Sequence, residues 1–362
     1  MNPQKNIRWA IIGIGEIGET HARNLLTGQV ARAELTAVLH PDSKRWEKFP
    51  TAKGFANLQD LVSANIADAL LIATPQSSHL ELGREALAAG LHVLMEKPLA
   101  RSHAEAVQLL EAPCAPNQQF GLMLNQRLDP AYGALRSAIH SGMIGRLQRV
   151  AWTATDWFRT QCYYDDRPWR GTWEGEGGGV LITQGLHHLD LYCWIFGLPN
   201  YVSGHCGWGR YHRMETEDDV TAYMEHADGM HSTFITTTGE APGMNRVEVI
   251  GEGGRLILEN NILRCWKNET SSAEVLRLGT SWFDAPKSEE SMVPTDQGPA
   301  RCKVWGGQHA EMLENFTDAI LDGTPLVAHA SEGLKALQIV NAIQSSSRKP
   351  STGLEIAKPA DG

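Results

Sequence analysis

The chain has 362 residues, enough for two domains of ordinary size, and 42% of them are hydrophobic, which supplies buried cores and rules out a disordered protein. A net charge of −10 excludes the basic face that nucleic acid or an anionic membrane surface requires. No apolar run approaches the length of about 18 residues that predicts a transmembrane helix, and the polar residues 1–5 ahead of the first strand give no expectation of a signal peptide. The six cysteines are scattered without a C-x-x-C pair, so a reducing, cytoplasmic setting is expected.

In chain order, the apolar run Ile7–Ile12 reads as a buried strand, and Gly13-Ile14-Gly15-Glu16-Ile17-Gly18 follows it directly. Strand plus this glycine spacing is the sequence form of a dinucleotide-binding turn. Gly13 permits the tight turn, Gly15 lets backbone approach a pyrophosphate, and Gly18 lets the next helix pack close. A helix over Glu19–Leu26 and a second strand over Glu34–Leu39 complete the unit. An acid about twenty residues beyond the glycines accepts the ribose 2′-hydroxyl of NAD. Here the second strand ends at His40, followed by Pro41-Asp42-Ser43-Lys44-Arg45. Asp42 suits NAD, whereas His40, Ser43, Lys44 and Arg45 suit the 2′-phosphate of NADP, so both cofactors stay open.

Ala69–Ala73 predicts a third buried strand ended by Thr74-Pro75, His79–Ala89 a helix, and Leu91–Met95 a strand that runs into Glu96-Lys97-Pro98. A helix over Ala104–Glu111 behind Ser102 and a strand over Phe120–Leu124 follow. The alternation across residues 1–125 implies a Rossmann domain, a doubly wound parallel sheet with helices on both faces. Residues 126–348 change character and predict a substrate-binding and oligomerisation domain. Helix Pro130–Ser141 leads into alternating segments, among them Val220–Met224 and Ser232–Thr236, that read as a largely antiparallel sheet. Residues 268–300 look like an irregular surface excursion. Helices return over Gln308–Leu321 and Ser331–Ser345, and residues 349–362 read as a loose tail. Val220, Ala222 and Met224 alternate with Thr221 and Tyr223, which puts apolar or aromatic groups on both faces of the sheet. Covering the second face with another subunit, as a homodimer or homotetramer, resolves this.

Two stretches carry candidate chemistry. Lys97 stands at the carboxyl end of a buried strand, where ligands of doubly wound sheets sit. Its ammonium there can polarise a hydroxyl and hold an alkoxide, although a solvated turn is the plainer reading. The run Gly177–Asp190 has a helical pattern that places Thr183, His187 and Asp190 near one face. His187 and His188 diverge on a helix and no carboxylate completes a set with them, so no metal is expected. A single helical histidine is more often structural than catalytic.

The glycine motif, Ala73-Thr74-Pro75 with His79, Glu96-Lys97-Pro98 and Gly177–Asp190, in this order, resemble the Gfo/Idh/MocA oxidoreductases. That family is named for glucose–fructose oxidoreductase, inositol dehydrogenase and a rhizopine-catabolism protein. Ser141-Gly142-Met143-Ile144-Gly145 and Asp322-Gly323-Thr324-Pro325 extend the resemblance along nearly the whole chain. It implies a Rossmann domain joined to an α/β domain whose open sheet face makes subunit contacts, and it leans the cofactor slightly to NAD. It also implies that Ala73, Thr74, Pro75, His79, Glu96, Lys97 and Asn125 border the cofactor. Lys97 and His187 would flank a sugar or polyol hydroxyl, with Lys97 stabilising charge and His187 moving the proton. Gln126, Arg127 and Thr183 would line the substrate; Trp169 and Arg170, just before the glycine run, offer an aromatic face and hydroxyl-binding donors on their own chemistry, with core and surface packing as the alternative. Many relatives have aspartate, or in some branches asparagine, where this chain has Thr183, and threonine cannot serve as a base. The expected activity is hydride transfer between nicotinamide and a secondary hydroxyl. A redox-neutral NAD-dependent glycosidase and a non-enzymatic sugar or nucleotide sensor are the alternatives.

Overall fold

The computed structural model describes residues 6–294 and 307–349. Its first half interleaves β1 (Ile7–Ile12), α1 (Glu16–Leu26), β2 (Ala33–Leu39), β3 (Lys53–Phe55), α2 (Leu58–Ala64), β4 (Ala69–Ile72), α3 (His79–Ala88), β5 (His92–Met95), α4 (His103–Leu110) and β6 (Phe120–Leu122). All strand pairs here are parallel, in the order β3-β2-β1-β4-β5-β6. Parallel strands covered on both faces need continuous apolar sequence. Every residue of β4 is accordingly fully buried. Helix starts follow local chemistry: Asn57 and Ser102 accept hydrogen bonds from the backbone N–H groups of Asp60 and Glu105. Helix α1 begins at Glu16, three residues before the expected start, because the glycine turn itself supplies its first turn.

The second half runs α5 (Pro130–His140), β7 (Leu147–Ala154), α6 (Gln161–Asp165), α7 (Val180–Thr183), α8 (Gly185–Phe196), β8 (Tyr201–Trp208), β9 (Glu217–Glu225), β10 (His231–Thr237), β11 (Asn245–Gly251), β12 (Gly254–Glu259), β13 (Ile262–Asn268), α9 (Ser272–Leu278), β14 (Ser288–Met292), α10 (Gly307–Asp322) and α11 (Gly333–Ser347). Its strands form one sheet, β14-β13-β12-β11-β7-β10-β9-β8, antiparallel except where β10 runs parallel to β7. Along β9, Val220, Ala222 and Met224 point into the core while Thr221, Tyr223 and Glu225 are exposed. The outer face differs in one respect from the apolar surface expected. Arg149, Arg246, Glu248 and Glu259 lace its β7–β12 part with ion pairs, and Arg255 stacks on Trp266.

Residues 268–294 are more ordered than an irregular excursion. They contain α9 and the edge strand β14, which pairs with β13 from Arg264–Met292 to Asn268–Ser288. Polar strands at a sheet edge lack the alternation that marks a half-buried strand, which is why sequence pattern passes over β14. Nearly all of the expected tail, 349–362, lies outside the described residues. Among the described residues no helix is long and apolar enough to cross a membrane.

Helix α10 lies in the second half of the sequence but packs against the first sheet. Trp9 Nε1 donates to Thr317 Oγ1 at 3.3 Å, and the Phe316 ring centroid lies 5.5 Å from that of Trp9. Arg32 reaches both Asp318 and Asp322. Phe316 is buried and also fills the space above Gly121. Phe316→Ala should therefore destabilise the protein by about 3–5 kcal/mol, the usual cost of an aromatic-sized cavity. A urea-unfolding midpoint unchanged from wild type would show that α10 is not coupled to the first sheet.

Candidate active site

The glycine turn is shaped by contacts that no side chain permits. Gly13 has φ +94°, and a Cβ there would lie 2.6 Å from the Ala73 carbonyl carbon. A Cβ on Gly18 would lie 2.0 Å from the Gly13 oxygen, so α1 sits directly on the turn. Gly15 is different: nothing lies within 4 Å of its Cβ position, and it caps α1 without a side-chain hydrogen bond. Space is thus open beside Gly15 at the N-terminus of α1, the end of a helix that receives an anion. A cavity of about 570 Å³ opens beside this turn at the carboxyl ends of β1, β2 and β4, lined by Gly13, His40, Pro41, Leu58, Thr74 and Pro75. It lies where the strand order reverses, the place where doubly wound sheets bind ligands.

The turn after β2 distributes its polar groups unevenly. His40 and Pro41 line the cavity, while the Asp42 carboxylate accepts from Lys44 N at 3.1 Å. Lys44 is exposed. Arg45 lies nearest the glycine turn, with Nη1 at 3.4 Å from Ile14 O and 3.7 Å from Glu19. His79, expected at the cofactor, lies behind the cleft instead. It is buried, with Nδ1 at 2.9 Å from Pro98 O and Nε2 at 3.0 Å from Thr74 O, so it stitches two loops together.

At the end of β5, Glu96 and Lys97 face different surroundings. Glu96 is buried, and its Oε1 lies 2.7 Å from His21 Nε2. Burial alone would raise this carboxyl, but the His21 hydrogen bond and the neighbouring charges of His21, His309 and Lys97 hold it below its ordinary value. His21, Glu96 and His309 are the group of metal-binding residue types brought together among the described residues. Lys97 is half-buried, and its Nζ donates to Thr183 O at 2.8 Å. Burial lowers its pKa, opposed by the carboxylates of Glu96 and Glu176.

The expected continuous helix over 180–190 is broken in two. Helix α7 ends at Thr183 and α8 starts at Gly185, so Thr183 and His187 occupy different helices. Last-turn carbonyls have no intrahelical donor, and the break leaves that of Thr183 to the Lys97 ammonium. The Thr183 hydroxyl turns back to Gly179 O at 2.8 Å and also meets Gln184 Oε1. His187 is half-buried on α8. Burial first, then Lys97, His188 and His309, hold its pKa well below the ordinary 6.5, so the ring is neutral and able to accept a proton.

Of the expected substrate residues, Arg127 departs most. Its guanidinium is 3% exposed and grips Asp190 through Nε at 2.9 Å and Nη2 at 2.6 Å, joining the turn after β6 to α8. Arg170 likewise looks inward: it donates to Tyr163 O at 2.9 Å and lies 4.1 Å above the Tyr163 ring, with Trp169 beside it. Asn125 Oδ1 and Gln126 Oε1, in contrast, are buried acceptors without a partner among the described residues. Sequence reasoning passed over two buried carboxylates. Glu176 accepts from Gly171 N at 2.6 Å, and Glu217 accepts from Gly179 N at 2.9 Å. Burial pushes each up to about 7. The only local signal is a glutamate abutting the Gly177–Gly179 run. His188 was set aside as a metal ligand and proves to be core: its ring packs edge-on against Trp152 and Trp157, and burial lowers it to about 4.

Residues 7–120 match the model of an oxidoreductase family described as an NAD-binding Rossmann fold, and residues 132–257 match the GFO/IDH/MocA C-terminal domain. Inositol 2-dehydrogenase of Leifsonia xyli subsp. xyli is 37% identical over 206 residues, 55% of this chain and 56% of that enzyme, so the match spans about half of that relative. Inositol 2-dehydrogenase 2 of Paenarthrobacter aurescens is 26% identical over 97% of this chain and 99% of its own. Among solved structures, the WlbA dehydrogenase of Bordetella pertussis, in complex with NADH and UDP-GlcNAcA, superimposes with a TM-score of 0.78 at 24% identity, covering 99% of this chain and all of that one. With both halves matched, and in the order the motifs predict, the chain belongs to the GFO/IDH/MocA oxidoreductase family.

Proposed function

We propose that this protein is an NAD(P)-dependent dehydrogenase acting on a secondary hydroxyl of a carbohydrate or cyclic polyol. The observation that carries the reading is the meeting of Lys97, from the end of β5, with the α7–α8 break that precedes His187. The glycine turn, the open space at Gly15 and the adjacent cavity fit a dinucleotide, and the unpartnered Asn125 Oδ1 fits a group with a donor to offer. Bound nicotinamide supplies the hydride acceptor. Lys97 holds the substrate oxygen as negative charge develops on it, and the neutral His187 ring takes the hydroxyl proton. The inositol dehydrogenases among its relatives support a polyol or sugar as substrate. The described cysteines are all unpaired, which supports a cytoplasmic setting.

Lys97→Ala and His187→Ala should each lower kcat by about 10²–10⁴-fold while NADH and NADPH dissociation constants change little. Because the His187 pKa is depressed, activity should persist below the pH at which an ordinary imidazole gains its proton and fall only at more acid pH. Titration calorimetry that detects neither NAD(H) nor NADP(H) would refute the proposal. Release of an aglycone from aryl glycosides without NADH accumulation would instead assign the glycosidase reaction.

The sheet's outer face is proposed to bind a second subunit. Tyr201, Tyr223 and Ile262 are 55%, 37% and 38% exposed on it, on β8, β9 and β13, while the helices cover only the other side. Charged side chains pair among themselves on the rest of that face, which leaves few unpaired charges to desolvate on association. Sedimentation at micromolar concentration should show at least twice the 39.8 kDa of one chain. A monomer under those conditions would exclude this interface.

A further inference from the structure

The connection from β7 to α6 carries an arginine without a counterion. Arg159 is half-buried, and its Nη1 donates to the neighbouring Phe158 O at 2.9 Å. Its guanidinium carbon lies 5.1 Å from the Tyr163 ring centre and 5.8 Å from that of Trp157. Arg159 makes no ion pair among the described residues, whereas the arginines around it do: Arg167 and Arg170 meet Asp166, and Arg213 meets Asp165. Carboxylates on adjoining segments are engaged elsewhere, Glu240 with the Thr155 hydroxyl and Asp218 with His212. Partial burial of an unpaired charge is costly, and stacking on two rings offsets that cost only in part.

The backbone of this arginine is fixed from two sides. Arg159 N donates to Thr238 O at 2.9 Å, and Arg159 O lies 3.0 Å from His212 Nε2. The His212 ring is itself held by the buried Asp218 carboxylate at 2.9 Å. Two paths of contact then lead from the rings beside Arg159 to the candidate catalytic residues. The Tyr163 hydroxyl accepts from Gln184 Nε2 at 3.4 Å, and Gln184 follows Thr183, whose carbonyl takes the Lys97 ammonium at 2.8 Å. The Trp157 ring lies 6.1 Å from that of His188, the neighbour of His187 on α8. The guanidinium thus stands beside the two aromatic rings that border the α7–α8 break. Two buried side-chain atoms between β7 and α7 lack a partner among the described residues, Trp157 Nε1 and Arg170 Nε, and both are donors. Unused donors beside a cation fit a group that brings acceptor oxygens and negative charge. The chain as a whole carries −10, so only local positive charge can draw such a group in.

We infer that Arg159 binds an anionic substituent, a carboxylate or a phosphate, on the sugar or polyol whose hydroxyl meets Lys97 and His187. The inference rests on the dehydrogenase reading and narrows its substrate class to acidic sugars, either sugar acids or sugar phosphates. The plain alternative is a staple, in which Arg159 only holds Trp157 and Tyr163 in place. A staple serves neutral and anionic substrates alike, whereas an anion site discriminates between them.

The test is steady-state kinetics with NAD and NADP on matched substrates. Glucuronate, galacturonate and mannuronate are each compared with the parent hexose, and so is each hexose 6-phosphate. Wild type should give a higher kcat/KM for at least one acid or phosphate than for its neutral parent. A preference among the uronates alone assigns a carboxylate, and one among the phosphates alone assigns a phosphate. In Arg159→Gln the preference should shrink by about tenfold to a hundredfold, the usual effect of losing a hydrogen bond to a charged group. Arg159→Lys, which keeps the charge, should retain most of it. A wild type that prefers every neutral parent would overturn the inference, and that comparison stands even where Arg159→Gln does not fold. A preference that Arg159→Gln leaves intact, with both substrates falling together, would overturn it as well and assign the staple. A wild type that turns over none of these sugars counts against the dehydrogenase reading. Titration calorimetry of the same sugars against NADH-loaded wild type and Arg159→Gln then decides the anion site: tighter binding of an acid or phosphate that Arg159→Gln loses upholds it, and binding no tighter than that of the parent overturns it.

Discussion

The candidate site is assembled from two halves of the chain, and the buried pair Arg127–Asp190 is a central contact between them. Both side chains are 3% exposed, and the guanidinium meets the carboxylate through two hydrogen bonds. Taking two ions out of water costs several kcal/mol each, so such a pair is retained when its geometry is near ideal and the position it enforces is needed. Burial works against the Arg127 charge, but Asp190, with Glu332 at 3.4 Å, outweighs it and holds the pKa up. Asp190 lies three residues after His187 on α8, and Arg127 lies in the turn that follows β6. Anchoring one end of this contact anchors the histidine relative to the strand ends of the first sheet, where Lys97 stands.

Against that fixed frame the charges of the site form a graded set. Lys97 is drawn toward its neutral form by burial and back by two carboxylates, and its ammonium finds a carbonyl that exists as a free acceptor only because α7 stops at Thr183. His187 is pushed the same way by burial and by Lys97 itself, so the lysine's charge helps keep the adjacent imidazole neutral. A cation beside a neutral base is the arrangement that withdraws a hydroxyl proton without two like charges competing in one pocket. The start of α7 is held from beneath. Glu217 accepts from Gly179 N and Leu181 N, and Gly179 lies so close to Glu217 that a Cβ would fall 1.9 Å from its carbonyl oxygen. The glycine run before α7 is therefore a packing requirement of this short helix as much as an entry loop.

The parts legible in sequence were those set by local chemistry. The all-apolar strands β1 and β4, the glycine turn, the Ser102 cap and the alternation of β9 each follow from residues a few positions apart. Lys97 and His187 were singled out by the order of the motifs along the chain, since on local pattern alone they read equally as a solvated turn and a structural histidine, and the α7–α8 break now separates His187 from Thr183. What stayed hidden depends on partners far away in sequence. Arg127 looked like a substrate contact until Asp190, 63 residues on, took its guanidinium. His79 looked like a cofactor neighbour until two carbonyls enclosed it, and the apolar run through residues 180–190 concealed the break between α7 and α8. Glu176 was invisible for the same reason. A glutamate before three glycines reads as a solvated turn, whereas here the crossing of Gly177 over Arg101 and the hydrogen bond from Gly171 enclose it. Local pattern places backbones, and long-range contacts decide which side chains are left free to act. In this chain they occupy Arg127, His79 and Glu96, and leave the side-chain oxygens of Asn125 and Gln126 without a partner among the described residues.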